Sequence, residues 1–118
     1  MNILVVDDEL CVRTSMQRIL KLLGHSVALA EHGLDALQKL EEQTFDLVIT
    51  DLSMPVMDGV ELVKKIRALS PNLPIVVCTG SRTYDLKDMV AKFAPLFVVL
   101  KPFHCEDLEL VLTRASAR

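Results

Sequence analysis

The sequence has no excess of positive charge. Lysine and arginine number 13 against 16 aspartates and glutamates, which gives a net charge of −3. That leaves no electrostatic footprint for nucleic acid. No apolar run approaches the roughly 20 residues of a membrane span. The first residues, MNILVVDDE, carry no basic stretch and meet acids at once, so they do not read as a signal peptide. Cysteines are few. Cys11, Cys78 and Cys105 are an odd number at wide spacing, with no CxxC pair. Zinc ligation and a disulfide framework are therefore poorly supported. Reduced thiols in a cytoplasmic protein are the simpler reading. Cys78 lies in an apolar run and reads as a small core residue. Cys11 and Cys105 flank predicted helix starts and are expected to be partly exposed. No internal repeat, low-complexity tract or linker breaks the chain.

What is present suits one globular domain over residues 1–118. Hydrophobic residues make up 51%, enough for a full core, and charged residues 25%. Short apolar runs at Ile3–Val6, Ser26–Ala30, Leu47–Ile49, Ile75–Cys78 and Leu96–Leu100 read as strands. The second is less apolar and is expected nearer a sheet edge. Between them, apolar residues recur at helical spacing, as in Val12, Met16, Ile19, Leu20 and Leu23, with Arg13, Gln17, Arg18 and Lys21 as the polar positions. Gly24 reads as a helix C-cap and Asp58 as an N-cap, with Glu61 three residues on. Pro71, Pro74 and Pro95 mark breaks. Strand–helix alternation of this kind implies parallel strands and right-handed crossovers. The expected fold is a doubly wound α/β sandwich, a five-stranded parallel sheet with five helices.

In such sheets ligands bind outside the carboxyl ends of the strands. The residues that follow strands one, three, four and five are Asp7 and Asp8, then Asp51, Thr79 and Lys101. Each has an ordinary explanation when taken singly: an acidic helix start, a turn cap, a strand-end hydroxyl, a surface charge. Together they bring three carboxylates, a hydroxyl and an ammonium to one edge. Carboxylates this close repel and need compensation. A hard divalent cation with oxygen ligands supplies it, and Mg²⁺ suits a few carboxylates that leave room for a phosphoryl partner. Lysine and threonine both bind phosphate oxygens. The set suits transfer of a phosphoryl group to a carboxylate, with Asp51 as the nucleophile.

With those residues in place, the sequence resembles a two-component response-regulator receiver domain of flavodoxin-like fold over essentially its whole length. The matching pieces are VVDDE at Val5–Glu9, DLVITDLSMPVMDG at Asp46–Gly59, VVCTG at Val76–Gly80 and KPF at Lys101–Phe103. The resemblance implies that Asp51 is the phospho-acceptor. It implies Mg²⁺ (Mn²⁺ as a second candidate) on Asp8, Asp51 and the Ser53 carbonyl, with Asp7 acting through water. Lys101 would contact the phosphoryl oxygens, Thr79 would move to bond one of them, and the Lys101–Pro102 bond would be cis. Ser53 and Ser81 would tune loss of the phosphoryl group to water. The donor would be a sensor histidine kinase or phosphotransfer protein. The output would be a downstream protein target or a fused effector domain, with a monomer or a weak phosphorylation-dependent dimer. The chain ends soon after the fifth helix and leaves no room within itself for an effector domain. It reads as a single-domain regulator or as the N-terminal piece of a longer one.

One position departs from the family pattern. The switch position three residues before the lysine, usually aromatic, is Val98, and alternation puts Phe97 on the opposite face. A valine has little area to bury differently, so a weak bias between states is expected. Two other classes compete with the acceptor reading. A phosphate-ester hydrolase would want a second acid two residues after Asp51, where Ser53 stands. An unphosphorylated interaction domain would not need Asp7, Asp8, Asp51, Thr79 and Lys101 together.

Overall fold

The apolar runs lie side by side, and the central ones are hydrophobic on both faces and must be covered on both. The computed structural model describes residues 1–80 and 85–116. Strands β1 (Asn2–Val6), β2 (Ser26–Ala30), β3 (Leu47–Asp51), β4 (Ile75–Thr79) and β5 (Leu96–Leu100) form one sheet in the order β2-β1-β3-β4-β5. Every neighbouring pair is parallel. Helices α1 (Leu10–Leu22), α2 (Gly33–Glu42), α3 (Gly59–Leu69), α4 (Leu86–Lys92) and α5 (Cys105–Ser116) make the crossovers. The α/β fold and the edge position of the less apolar β2 are as the sequence predicts.

Alternation along the strands separates two cores. Leu4, Val6, Val48 and Val77 pack with Ala36, Leu62, Ile66 and Met89, and so against α2, α3 and α4. Ile3, Val5, Ile49, Val76 and Cys78 pack with Met16, Leu20, Leu108 and Leu112, and so against α1 and α5. Val98 joins the first set and Phe97 the second, so the two residues do face opposite ways.

Local chemistry sets the helix ends. Gly24 follows α1 with φ +92, a left-handed position open to glycine. The Asp58 carboxylate accepts the Glu61 N–H at 2.9 Å and starts α3. α2 starts at His32, whose Nδ1 accepts the Asp35 N–H at 3.2 Å. At the far end of α3, Arg67 ties three segments together. Its Nη1 donates to the carbonyls of Ser70 at 2.9 Å and Leu73 at 2.8 Å, and its Nη2 to those of Phe93 at 2.9 Å and Pro95 at 3.1 Å. Both Ala94–Pro95 and Lys101–Pro102 are cis, the second as the family resemblance implies.

Candidate functional site

Register brings the chemistry to one edge. Asp51 pairs with Cys78 and Thr79 with Leu100, so the residues that leave β3, β4 and β5 emerge side by side. Asp7 and Asp8 leave the adjoining end of β1. Asp7 and Asp51 are buried, 3% and 8% exposed, while Asp8 faces solvent. One carboxylate oxygen from each of the three lies within 4.8 Å of the others.

Lys101 partly offsets this charge. Its Nζ stands 3.1 Å from Asp51 Oδ2 and 3.7 Å from Asp7 Oδ2. Its backbone N–H donates to the Thr79 carbonyl at 2.9 Å, which fixes where the lysine leaves the sheet. Burial works to lower the Lys101 pKa, yet its bond to Asp51 and the charges of Asp51 and Asp7 hold it above the usual lysine value. Burial raises the Asp7 carboxyl, against the opposing effects of the Glu9 N–H and of Lys101. Burial pushes the Cys78 thiol up to about 12, so it behaves as the core residue the sequence implied. Cys11 and Cys105 are exposed.

The loop after β3 is pressed tightly onto the site. The Gly59 N–H donates to the Leu52 carbonyl at 2.7 Å. A Cβ on Gly59 would run into the Asp51 carbonyl oxygen and into Leu52 Cα at 2.5 Å, so only glycine lets α3 start there. Met57 is buried against Gly33 at the start of α2. The Ser53 N–H donates to Asp51 Oδ1 at 3.3 Å. Val56, 71% exposed, holds φ 71, a left-handed conformation rare for a β-branched residue.

The predicted residues Asp7, Asp8, Asp51 and Lys101 therefore meet, and Thr79 lies buried beside them at the end of β4. Ser81 lies outside the described residues. Val98 is half-buried and lines an open groove of about 480 Å³ with Leu86, Lys87, Val90 and Leu100. Arg13 corrects the sequence reading. Placed there among the polar positions of α1, it is 8% exposed and donates from Nη1 to the Asp7 carbonyl at 2.6 Å. No pattern signals the burial of Arg13 or the carbonyl contacts of the half-buried Arg67, because their partners are carbonyls brought close only by folding.

The family of response regulator receiver domains matches residues 3–113. The chain belongs to that family. Its receiver is 39% identical over 116 residues to the transcriptional regulatory protein ZraR of Klebsiella oxytoca, covering 98% of this chain and 26% of that protein. It is 42% identical over 123 residues to the response regulator MprA of Mycobacterium avium, covering all of this chain and 51% of that protein. The chain thus spans a quarter to a half of these relatives. Among solved structures it resembles the Vibrio cholerae chemotaxis protein CheY4, with TM-score 0.89, 33% identity and 97% of both chains covered. It also resembles TrrA of Thermotoga maritima in complex with Mg²⁺-BeF, with TM-score 0.87, 32% identity and 97% of both chains covered. Receiver domains are phospho-acceptor modules of two-component signalling, and this one carries the acidic cluster such a module needs. Three converging carboxylates are a hard oxygen donor set and fit Mg²⁺. Among the described residues no helix is long and apolar enough to cross a membrane.

Proposed function

We propose that Asp51 is the acceptor of a phosphoryl group delivered from a phosphohistidine on a sensor kinase or phosphotransfer protein. The observation that carries this reading is the junction of Asp7, Asp8 and Asp51 with Lys101 at 3.1 Å from Asp51. In the transfer the P–N bond of the donor breaks and a bond forms from an Asp51 carboxylate oxygen to phosphorus. With the donor ring already protonated on its other nitrogen, the histidine leaves as neutral imidazole, and this chain need not supply a proton to the leaving group. Asp8, Asp51 and the Ser53 carbonyl would hold Mg²⁺, with Asp7 acting through water, and Mn²⁺ has suitable chemistry as well. When bound, the ion neutralises charge on the carboxylates and on the transferred group.

The chain's own residues do the rest. Lys101, displaced from one Asp51 oxygen, gives its charge to the phosphoryl oxygens. Thr79 offers a hydroxyl from the adjacent strand end. By the family resemblance, Ser53 and Ser81 tune how fast the group is lost to water. Val98 lines the open groove beside α4. The output is contact with a protein target or with a fused effector domain, in the cytoplasm, by a monomer or a weak phosphorylation-dependent dimer.

The test is a melting series on wild type and Asp51→Asn with Mg²⁺ alone and with Mg²⁺ plus beryllofluoride. A ligand bound only by the folded state adds about 2.7 kcal/mol at a hundredfold over its dissociation constant. A rise in wild type alone, needing both ligands, is expected. Incubation with phosphodonor should give acid-stable, alkali-labile label in wild type only. Label that persists in Asp51→Asn would sink the assignment, and turnover of a phosphate ester beyond one equivalent would favour a hydrolase.

A further inference from the structure

Arg13 is a buried guanidinium with no ion pair among the described residues. It is 8% exposed, yet among the described residues no carboxylate comes within salt-bridge reach, and its one side-chain hydrogen bond there goes to the Asp7 carbonyl at 2.6 Å. An apolar side chain would pack the same space without the desolvation cost of a charge. The charge is therefore spent on one oxygen, and that oxygen belongs to the peptide joining Asp7 to Asp8.

A peptide unit is planar, so gripping its oxygen fixes the plane that carries the Asp8 nitrogen and Cα. The other side of the turn is fixed as well. The Asp7 N–H donates to the Ala30 carbonyl at 3.2 Å, and Asp7 Oδ1 accepts the Glu9 N–H at 2.9 Å. Asp8 itself makes no side-chain hydrogen bond among the described residues. Its carboxylate is aimed only through its backbone. We propose that Arg13 is a positioning residue for the cation site: it holds the Asp7–Asp8 peptide so that the Asp8 carboxylate faces Asp51. The inference rests on the acceptor-site reading above.

Two effects of removing Arg13 have opposite signs, which makes the test sharp. Loss of a positive charge near a cation site would by itself tighten Mg²⁺ binding. Loss of the grip on the ligand-bearing peptide would loosen it, by about ten- to a hundredfold where outer-shell partners of metal ligands are removed. The experiment is calorimetric titration of the full chain with MgCl₂ at fixed ionic strength, beside its apo melting temperature. Arg13→Met and Arg13→Gln are expected to bind Mg²⁺ at least about tenfold more weakly. Arg13→Lys keeps one donor and should recover most of the affinity. Met16→Ala, a cavity one turn along α1, should lower the melting temperature with Mg²⁺ affinity unchanged.

Wild-type affinity, or tighter binding, in Arg13→Met or Arg13→Gln overturns the inference whatever their stability. Failure of both to fold while Met16→Ala folds overturns it too, because Arg13 would then serve the fold rather than the site. Absence of Mg²⁺ binding by wild type, or wild-type binding by Asp8→Asn, instead overturns the acceptor-site reading beneath it.

Discussion

Replacing Lys101 by methionine should cost the ion-free protein stability and make Mg²⁺ more valuable to it. The ammonium stands 3.1 Å from Asp51 and 3.7 Å from Asp7. At an effective dielectric of about 20, each contact is worth roughly 5 kcal/mol of Coulomb attraction. Carboxylate oxygens within 4.8 Å of one another repel by at least about 3.5 kcal/mol per pair on the same scale. Lys101 thus offsets much of the repulsion among the three acids. Removing one partner of a buried charge pair typically costs about 3–5 kcal/mol. Protonation of Asp7, already raised by burial, bounds the loss. Mg²⁺ would take over the missing charge and would no longer compete with an ammonium for Asp51. Urea unfolding at neutral pH, with and without saturating Mg²⁺, reads both quantities. The expected result is a large deficit without the ion and at least about 1.4 kcal/mol more stabilisation by Mg²⁺ in the variant than in wild type, a tenfold difference in affinity. The Lys101 pKa is raised on folding, so its contribution is present at neutral pH and fades only as pH rises through the folded value. Equal or smaller Mg²⁺ stabilisation in Lys101→Met would refute the charge-balance argument.

Val56→Gly should raise stability by about 1 kcal/mol, since Val56 holds φ 71 while 71% exposed and has little packing to lose; an unchanged or lower urea midpoint counts against it. Arg67→Met should lose at least about 3 kcal/mol, because the carbonyls of Ser70, Leu73, Phe93 and Pro95 lose a charged donor. Amide exchange at the end of α4 should quicken in that variant, and wild-type protection there would show that Arg67 does not anchor the segment. His25 is held below the usual histidine pKa by burial and by the Met1 ammonium, 3.0 Å from its Nδ1. A lowered folded pKa favours the neutral ring, so its contribution is full above about 6.5 and is lost as pH falls through the folded value. The stability–pH curve between neutral and mildly acidic pH should therefore flatten in His25→Gln, and an unchanged slope would mean other groups govern it.

The strands were legible because central strands of a parallel sheet are buried on both faces and so appear as unbroken apolar runs. The site was legible for a related reason. It consists of the residues that immediately follow those runs, so finding the strand ends finds Asp7, Asp8, Asp51, Thr79 and Lys101. Helical periodicity misplaced Arg13, because it assigns a charged residue to the solvent side and knows nothing of a carbonyl at the end of β1. Arg67 escaped notice for the same reason, since its acceptors are more than twenty residues away at Phe93 and Pro95. Nothing in the Pro55-Val56-Met57 run signals a left-handed residue, because the usual marker is glycine. His32 as a helix cap was also invisible, since ring nitrogens are uncommon in that role compared with aspartate or serine.

The position of the site within the sheet bears on how a change at Asp51 could be read elsewhere. Asp51 and Asp7 leave β3 and β1, which have neighbours on both edges and helices on both faces, so they form a stiff base. Thr79 and Lys101 leave β4 and β5, the strands nearest the other rim. The 7-residue α4 beside that rim buries only Met89. A helix with so little buried area is held weakly and can change position at small cost. Any group on Asp51 that draws Thr79 and Lys101 towards it therefore pulls on the less anchored side of the molecule. Val98 sits on that side with room beside it, and an isopropyl group gains little whether the groove is open or closed. On the proposed acceptor reading, coupling would run mainly through the strand-end backbone and the packing of α4 itself, along the bond from the Lys101 N–H to the Thr79 carbonyl.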